Sequence, residues 1–199
     1  MIKYKNIAIE GNIGAGKTTL ATKLADVLNA NLILEQFSDN PFLPKFYKNQ
    51  RQYAFPLEMS FLLDRYEQLK EKQEQRNSNS IIISDYFFSK TLIFAKNNLD
   101  DDEYRLFNKT FFLLNEQIET PDLVIYLYLD VFALQKNIKQ RGRDYEKNIE
   151  GTYLQSLQKQ YIDFLEKIKS TKVIILDINN IDFVKKNDDF DKILRLIEV

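Results

Sequence analysis

The fold class of this 199-residue chain follows from one stretch, Gly11-Asn12-Ile13-Gly14-Ala15-Gly16-Lys17-Thr18. A short apolar run, Asn6–Glu10, precedes this G-x-x-x-x-G-K-T pattern, and a segment with helical spacing, Lys17–Leu28, follows it. In that setting glycines let backbone N–H groups turn inward around phosphate oxygens, and the helix adds its positive N-terminal end. The stretch therefore predicts a loop that binds a nucleoside triphosphate, with Lys17 on the β- and γ-phosphates and Thr18 as a ligand of Mg²⁺.

Short apolar runs alternate with segments of helical spacing along the rest of the chain. The runs typical of strands covered on both faces are Asn6–Glu10, Asn31–Gln36, Ser80–Asp85, Asp122–Leu129 and Lys172–Asp177. The segments typical of helices are Lys17–Leu28, Pro41–Arg76, Phe88–Ile118, Phe132–Gln140, Glu150–Lys169 and a last one near Phe190–Ile197. Because this alternation implies parallel crossovers, we predict an α/β fold, a three-layer sandwich around a five-stranded parallel sheet. We expect a single domain that spans residues 1–199.

The composition excludes several kinds of chemistry. The chain has no cysteine and no histidine, so disulfides, thiolate zinc sites, Ser-His-Asp triads and a histidine general base are ruled out. Acid–base chemistry must therefore fall to carboxylates, lysine, tyrosine or water. The chain has 28 basic and 29 acidic side chains, and this balance argues against a nucleic-acid partner.

Hydrophobic patterning also predicts the location of the protein in the cell. No signal-like apolar segment follows Met1, and the longest apolar stretch, Leu123–Leu129, is far shorter than the roughly 18 residues of a membrane span. We therefore expect a cytoplasmic protein without a membrane partner.

A phosphate-binding loop of this kind occurs in GTPases, in ATP-driven motors and in kinases of small molecules. A GTPase should carry a guanine-reading Asn-Lys-x-Asp motif after a strand, and a motor should carry a long apolar strand that ends in paired acids. Neither pattern is found, because the last two apolar runs end in Leu127-Tyr128-Leu129-Asp130 and Leu176-Asp177-Ile178. The short chain and its element order therefore favour a kinase that acts on a small metabolite.

Three features together resemble the deoxynucleoside kinase family, and within it the bacterial deoxyguanosine and deoxyadenosine kinases. They are the segment Glu10–Thr19, Glu35 at the end of the second predicted strand, and Arg141-Gly142-Arg143. The resemblance implies ATP-dependent transfer of phosphate, with Mg²⁺, to the 5′-hydroxyl of a deoxynucleoside in nucleotide salvage. It also implies that the phosphate loop, with Thr19, and Arg141 contact ATP.

The same resemblance assigns roles to two carboxylates that follow predicted strands. Glu35 corresponds to the group that accepts the proton of the 5′-hydroxyl, and Asp85 to the acidic residue of a (D/E)-R-(S/T) motif, which helps to hold Mg²⁺. The arginine that normally follows this acidic residue is Tyr86 here. Lys90, one turn into the next predicted helix, is a candidate to replace the missing charge.

A lid at residues 141–150 is a further feature that the resemblance implies. Arg141 and Arg143 would close over ATP and bring their charges to the phosphoryl group in transfer. Family lids often carry another arginine one turn earlier, where this chain has Asn137.

The resemblance also identifies residues that would contact the nucleoside. Tyr47 and Glu146 correspond to the pair that grips the sugar 3′-hydroxyl, and Phe94 to the aromatic residue that stacks on the base. Glu58 and Arg65, two helical turns apart, correspond to positions that read the edge of the base.

Glu58 stands where the family usually has glutamine. An ionised glutamate only accepts hydrogen bonds, so it complements the N1–H and N2–H₂ donors of guanine, with Arg65 available for O6 or N7. It suits adenine less, because N1 of adenine needs a donor, while cytosine remains compatible through N4–H₂. We therefore expect a purine substrate, deoxyguanosine first or deoxyadenosine. The alternatives are a nucleoside monophosphate kinase such as thymidylate kinase, and a non-catalytic nucleotide-binding module.

Two other stretches receive an interpretation. Asp100-Asp101-Asp102-Glu103 is interpreted as the acidic cap and first turn of a helix, Tyr104–Ile118, and not as a metal site. That helix has a wide apolar stripe, and the resemblance implies dimers that pack through helices. We therefore predict a homodimer. Asp177–Phe183 resembles the loop that flanks the adenine of ATP.

Overall fold

The computed structural model describes residues 3–37, 39–76 and 80–198. The strands are β1 (Asn6–Gly11), β2 (Asn31–Ile33), β3 (Ile82–Ser84), β4 (Leu123–Tyr128) and β5 (Lys172–Asp177). They form one parallel sheet in the order β2-β3-β1-β4-β5, with β1 and its phosphate loop at the centre. The predicted α/β fold with a five-stranded parallel sheet is confirmed.

The helices lie between the strands and after the last one. They are α1 (Lys17–Leu28), α2 (Leu43–Phe46), α3 (Gln50–Glu74), α4 (Lys90–Asn98), α5 (Asp101–Asn115), α6 (Val131–Arg141), α7 (Gly151–Leu165) and α8 (Asn187–Arg195). A short 3₁₀ turn, Asp144–Glu146, lies between α6 and α7. Across the described ranges, no helix has both the length and the apolar character that a membrane crossing needs.

Side chains of the central strand alternate between two helical layers. Ile7 and Ile9 of β1 pack in one buried cluster with Leu20 of α1. Ala8, between them, packs in a second cluster with Tyr161 of α7. Because helices cover both faces of the sheet, the strands are apolar at nearly every position, as the sequence pattern indicates.

β2 and β3 are shorter than the apolar runs Asn31–Gln36 and Ser80–Asp85 predict. The chain leaves the sheet after Ile33, and the N–H of Glu35 donates to Oδ1 of Asp85 at 2.7 Å instead of to a neighbouring strand. Glu35 and Asp85 therefore lie just beyond the carboxyl ends of β2 and β3, at the edge where parallel α/β sheets bind ligands.

Each of the two longest segments of helical spacing is divided into two helices. Pro41–Arg76 is interrupted before Asn49, whose side chain accepts a hydrogen bond from the N–H of Gln52 and caps α3. Phe88–Ile118 is interrupted at Leu99, which has an extended backbone. The breaks separate α3 from α2 and α4 from α5, and they leave α3 and α4 packed side by side.

Asp100 caps α5, in agreement with the acidic-cap interpretation. Its Oδ1 accepts hydrogen bonds from the N–H groups of Asp102 at 3.0 Å and Glu103 at 2.9 Å. The Glu103 side chain accepts in return from the N–H of Asp100, which completes a capping box, and the helix begins at Asp101 instead of Tyr104. Within the part of the chain that the structure describes, no group of three or more carboxylates is arranged to hold a metal ion.

Candidate active site

The phosphate loop connects β1 to α1. Gly14 and Gly16 have φ angles of 87° and 88°, in the left-handed region that glycine reaches without strain. A Cβ on Gly14 would stand 2.9 Å from the carbonyl oxygen of Leu134, so α6 packs directly on the loop. Asn137, at the position where family lids often carry an arginine, donates from Nδ2 to the carbonyl oxygen of Gly14 at 2.9 Å. The helix that leads into the lid is therefore tied to the loop.

Lys17 lies at the first turn of α1. Its Nζ donates to the carbonyl oxygens of Gly11 and Asn12, each at 3.0 Å. Burial, followed by the nearby Lys90 cation, lowers the pKa of Lys17 to about 8. These contacts hold the ammonium group beside the phosphate loop.

Glu35 is held by two cations. Its Oε1 accepts from Nε and Nη2 of Arg65 at 2.8 and 2.5 Å, and its Oε2 accepts from Nζ of Lys90 at 2.5 Å. Burial alone would raise the pKa of Glu35, but Lys90 and Arg65 outweigh it and lower this pKa to about 2. Glu35 is therefore an ionised carboxylate at neutral pH.

Asp85 joins the strand edge to the phosphate loop. Its Oδ2 accepts from Oγ1 of Thr18 at 2.5 Å. A hydroxyl and a carboxylate oxygen in contact are a donor set that fits Mg²⁺, which binds through one or two carboxylates together with substrate phosphates. Thr18 and Asp85 therefore fit the predicted Mg²⁺ site.

The lid arginines converge on one buried carboxylate. α6 ends at Arg141, because Gly142 adopts a left-handed backbone with φ of 74°. Arg141 donates from Nε to Oε2 of Glu146 at 3.1 Å, and Arg143 donates from Nη1 to Oε1 at 3.2 Å. The guanidinium of Arg143 also lies over the ring of Phe37, 4.2 Å from its centroid. Glu146 thus holds both arginines.

Two clefts meet at these arginines. The first, the α3–α4 cleft, is lined by the predicted catalytic and substrate residues Lys17, Thr18, Glu35, Tyr47, Glu58, Arg65, Asp85, Phe94, Arg141, Arg143 and Glu146. The second, the α6 cleft, is lined by Gly14, Gly16 and Thr19 of the loop, by α6, and by the segment 178–185, which includes much of the predicted adenine loop. The residues that line both clefts are Lys17, Thr18, Arg141 and Arg143. A phosphate group at these four residues would have a ligand site on either side.

Some predicted loop residues lie behind the clefts. Ile13 lines the α3–α4 cleft, whereas Gly11, Asn12 and Ala15 are buried and belong to neither lining. The side chain of Asn12 has a structural contact, since its Nδ2 donates to the carbonyl oxygen of Leu154 in α7 at 2.8 Å.

Glu58 and Arg65 lie on one buried face of α3. Their exposed fractions are 1% and 4%, so these two charged side chains do not lie on a solvated helix face. Burial raises the pKa of Glu58 to about 7. Arg65 donates hydrogen bonds to Glu35 through Nε and Nη2. Its third nitrogen, Nη1, makes no hydrogen bond within the described ranges and could therefore donate to a base.

One face of α4 contributes three residues to the cleft, of which the sequence predicted Lys90 and Phe94 and did not predict Asn98. Lys90 is 3% exposed and contacts Glu35, Phe94 lines the cleft with its ring 6.2 Å from that of Tyr161, and Asn98 donates to Oε1 of Glu58 at 2.7 Å. These α4 residues are spaced by four, so they share a helix face. Once Phe94 is assigned to the cleft, this spacing of four residues predicts that Lys90 and Asn98 face the cleft as well.

Tyr86 and Tyr47 have different surroundings. Tyr86, in place of the family's arginine, is fully buried away from the cleft, and its hydroxyl donates to Oε1 of Gln68 at 2.5 Å. Tyr47 lines the cleft with Glu146, its ring stacks on Tyr145 at 6.0 Å, and burial raises its pKa well above the usual value.

Known proteins resemble this chain along nearly its full length. A family model described as deoxynucleoside kinase matches residues 7–199. The deoxyguanosine kinase of Bacillus subtilis is 37% identical over 192 residues, which cover 94% of this chain and 93% of that protein. The deoxyadenosine kinase of Dictyostelium discoideum is 37% identical over 182 residues, which cover 90% of this chain and 74% of that protein.

Solved structures agree in fold. The deoxyadenosine kinase from M. mycoides with bound dATP has a TM-score of 0.82 and 26% identity, covering 97% of this chain and 98% of that chain. The structure of the M. mycoides enzyme with the products dCMP and dCDP has a TM-score of 0.81 and 28% identity, covering 96% and 97%. The relatives carry both deoxyguanosine and deoxyadenosine kinase names. On these matches and this site, the chain belongs to the deoxynucleoside kinase family and is an enzyme that transfers phosphate to a hydroxyl group.

Proposed function

We propose that this chain transfers the γ-phosphate of ATP, with Mg²⁺, to the 5′-hydroxyl of a purine deoxynucleoside, with deoxyguanosine preferred. The observation that carries the proposal is the ionised carboxylate of Glu35, in a cleft whose walls include the phosphate-loop residues Lys17 and Thr18. The product is a 5′-monophosphate, which suits nucleotide salvage in the cytoplasm. No nucleic acid or membrane partner is needed.

Glu35 orients the acceptor hydroxyl and takes its proton. A carboxylate stabilised by two cations is a weak base, but the loose transition state of phosphoryl transfer asks little activation of the nucleophile. The 5′-oxygen attacks phosphorus in line, the bond from phosphorus to the β-phosphate oxygen breaks, and the proton passes to Glu35. Positioning is then the main contribution of this residue.

Cations around the shared region neutralise the charge on the phosphoryl oxygens. Lys17 acts from the loop, and Arg141 and Arg143 act from the lid at residues 141–150. Thr18 and Asp85 would hold Mg²⁺, which supplies further charge neutralisation when bound.

Lys90 supplies a cation near the acceptor hydroxyl in place of the family's arginine. Its Nζ contacts Oε2 of Glu35, so it lies within reach of the group that the hydroxyl approaches. A 5′-hydroxyl that donates to Oε2 of Glu35 would lie beside this cation.

The nucleoside lies along the faces of α3 and α4. Phe94 stacks on the base, and Tyr47 and Glu146 bind the sugar 3′-hydroxyl. Glu58 and Arg65 meet the edge of the base, where an ionised carboxylate accepts from the adjacent N1–H and N2–H₂ of guanine.

The test is ATP consumption with Mg²⁺ on deoxyguanosine, deoxyadenosine, deoxycytidine and thymidine, with the four monophosphates alongside. We expect turnover on nucleosides, with deoxyguanosine fastest, and none on monophosphates. Glu35→Gln should lose most of this turnover while still binding ATP. Turnover on a monophosphate alone would indicate a monophosphate kinase, and ATP binding without any turnover would indicate a non-catalytic module.

We also propose a homodimer. Leu106, Phe112 and Leu113 of α5 are large apolar side chains that are more than half exposed, and a second copy of this chain would cover them.

A further inference from the structure

The carboxyl group of Glu58 is held through one oxygen. Its Oε1 accepts from Nδ2 of Asn98 at 2.7 Å, whereas its Oε2 is buried and makes no hydrogen bond to any residue in the described ranges. Nη1 of Arg65, on the same face of α3, is buried and also makes no hydrogen bond within those ranges. Because all three residues line the α3–α4 cleft, these two atoms are left for a ligand.

The amide of Asn98 is oriented by a chain of hydrogen bonds that run in one direction. Oγ of Ser156, on α7, donates to Oδ1 of Asn97 at 2.7 Å, and Nδ2 of Asn97 donates to Oδ1 of Asn98 at 3.0 Å. Since Oδ1 of Asn98 is the acceptor of this chain, its Nδ2 faces Glu58. With Nδ2 of Asn98 donating to it, Oε1 of Glu58 is an acceptor, and a proton gained by Glu58 goes to Oε2.

The charged and titratable groups around Glu58 come from several elements. They are Arg65 on α3, Glu35 beyond β2, Lys90 on α4 and Tyr153 on α7. Burial raises the pKa of Glu58 to about 7, although Arg65 and Asn98 act to lower it. Glu35 has a pKa of about 2, and burial raises the pKa of Tyr153, so neither changes charge where Glu58 does.

We propose that Asn98, by keeping Oε1 an acceptor, makes the proton on Oε2 of Glu58 the feature that selects between guanine and adenine. The inference rests on the proposed function and deepens it. Ionised Glu58 accepts from N1–H and N2–H₂ of guanine. Neutral Glu58 donates from Oε2 to N1 of adenine while Oε1 accepts from N6–H₂. One carboxyl group thus serves either purine, with Asn98 as a positioning residue.

The sign of the pH dependence follows directly. Below its pKa of about 7, Glu58 is neutral and favours adenine; above it, Glu58 is ionised and favours guanine. If each form binds one base, the preference for deoxyguanosine over deoxyadenosine rises by up to about tenfold per pH unit.

The experiment measures kcat/KM for deoxyguanosine and for deoxyadenosine between about pH 6 and pH 8.5 and plots their ratio. The ratio removes effects common to both substrates, such as titration of Lys17. We expect the ratio to rise with pH in the native chain. In Glu58→Gln, which is isosteric and does not titrate, it should be flat and shifted toward deoxyadenosine. A flat ratio in the native chain, with both substrates turned over, overturns the inference and leaves the proposed function standing.

Asn98→Ala tests the positioning role. Loss of the donor raises the pKa of Glu58 further, so the ratio at each pH shifts toward deoxyadenosine. Lys96→Ala, an exposed change on the same helix, should leave the ratio profile unchanged. If Asn98→Ala and Lys96→Ala give the same profile, Asn98 does not position Glu58. Absence of turnover on every deoxynucleoside at every pH would overturn the proposed function itself.

Discussion

The contact between Lys90 and Glu35 is a buried ion pair that a single substitution can test. Lys90→Met removes the cation and keeps most of the side-chain volume. We expect the free energy of unfolding to fall by about 2 kcal/mol, because Glu35 keeps Arg65 but loses one of two partners. We also expect kcat on the preferred deoxynucleoside to fall by about 100-fold, since a charge near the phosphoryl group is lost. Urea denaturation and steady-state kinetics measure the two effects.

Lys90→Arg and Lys96→Met serve as controls for that change. The arginine keeps a cation beside Glu35 and should recover much of the activity. Lys96 is exposed and its ammonium group contacts the ring of Tyr104, so its loss should leave kcat unchanged and cost no more than about 0.5 kcal/mol of stability. A Lys90→Met enzyme with native kcat would exclude a role for Lys90 in transfer.

The sequence predicts which residues belong to the site more often than it predicts which residues they contact. Glu35 and Asp85 could be predicted as neighbours, because each follows a parallel strand and such strand ends meet at one edge. The pairing of Arg65 with Glu35, and of Asn98 with Glu58, could not be predicted, because each contact joins a helix side chain to another element and no strand order brings the two together. Helical spacing indicates which face a side chain occupies and leaves open which side chain it meets.

Among the elements, α5 offers a test of the acidic-cap interpretation. Asp100→Ala removes the acceptor for two N–H groups at the start of the helix. We expect the free energy of unfolding to fall by about 1 kcal/mol with kcat unchanged, because Asp100 lines neither cleft. Asp101→Ala keeps the cap and should cost less, by loss of one favourable charge near the helix N-terminus. Equal losses in the two variants would contradict the capping role.

The ends of helices and strands were predicted less well than their positions. Continuous apolar spacing suggests unbroken helices over Pro41–Arg76 and Phe88–Ile118, yet Asn49 and Asp100 each cap a new helix inside them. The cap at Asp100 was predicted from its acidic run, and Asn49 is also a common N-cap residue type, so the break before α3 could have been predicted in the same way. The early end of β2 could not be predicted, because the backbone N–H of Glu35 bonds a side chain instead of a strand, and an apolar run does not indicate such a bond.

For the whole molecule, the homodimer is the prediction to test. Leu106 and Leu113 lie two turns apart on one face of α5 and are 56% and 69% exposed. Light scattering after size exclusion should give twice the 23.6 kDa of one chain. Leu106→Glu combined with Leu113→Glu should give the single-chain mass. Phe132→Glu on α6, which is also an exposed apolar position, should remain dimeric. A native chain of monomer mass would refute the proposal.

The overall architecture was predictable to the level of layers. Alternating apolar and helical segments require parallel crossovers, and continuous apolar runs require cover on both faces, which gives the three-layer sandwich. The strand order β2-β3-β1-β4-β5 could not be predicted. It depends on which crossover passes over β1, and no local pattern records that choice.

The spacing of Lys90, Phe94 and Asn98 along α4 has a consequence for substrate size. Lys90 stands at Glu35, where transfer would take place, and Asn98 stands at Glu58, where the base edge would be read. Eight residues of helix separate them by about 12 Å. Under the proposed function, this length of α4 sets the distance between the site of transfer and the site that reads the base. On that basis we expect a two-ring base to reach Glu58 more readily than a one-ring base.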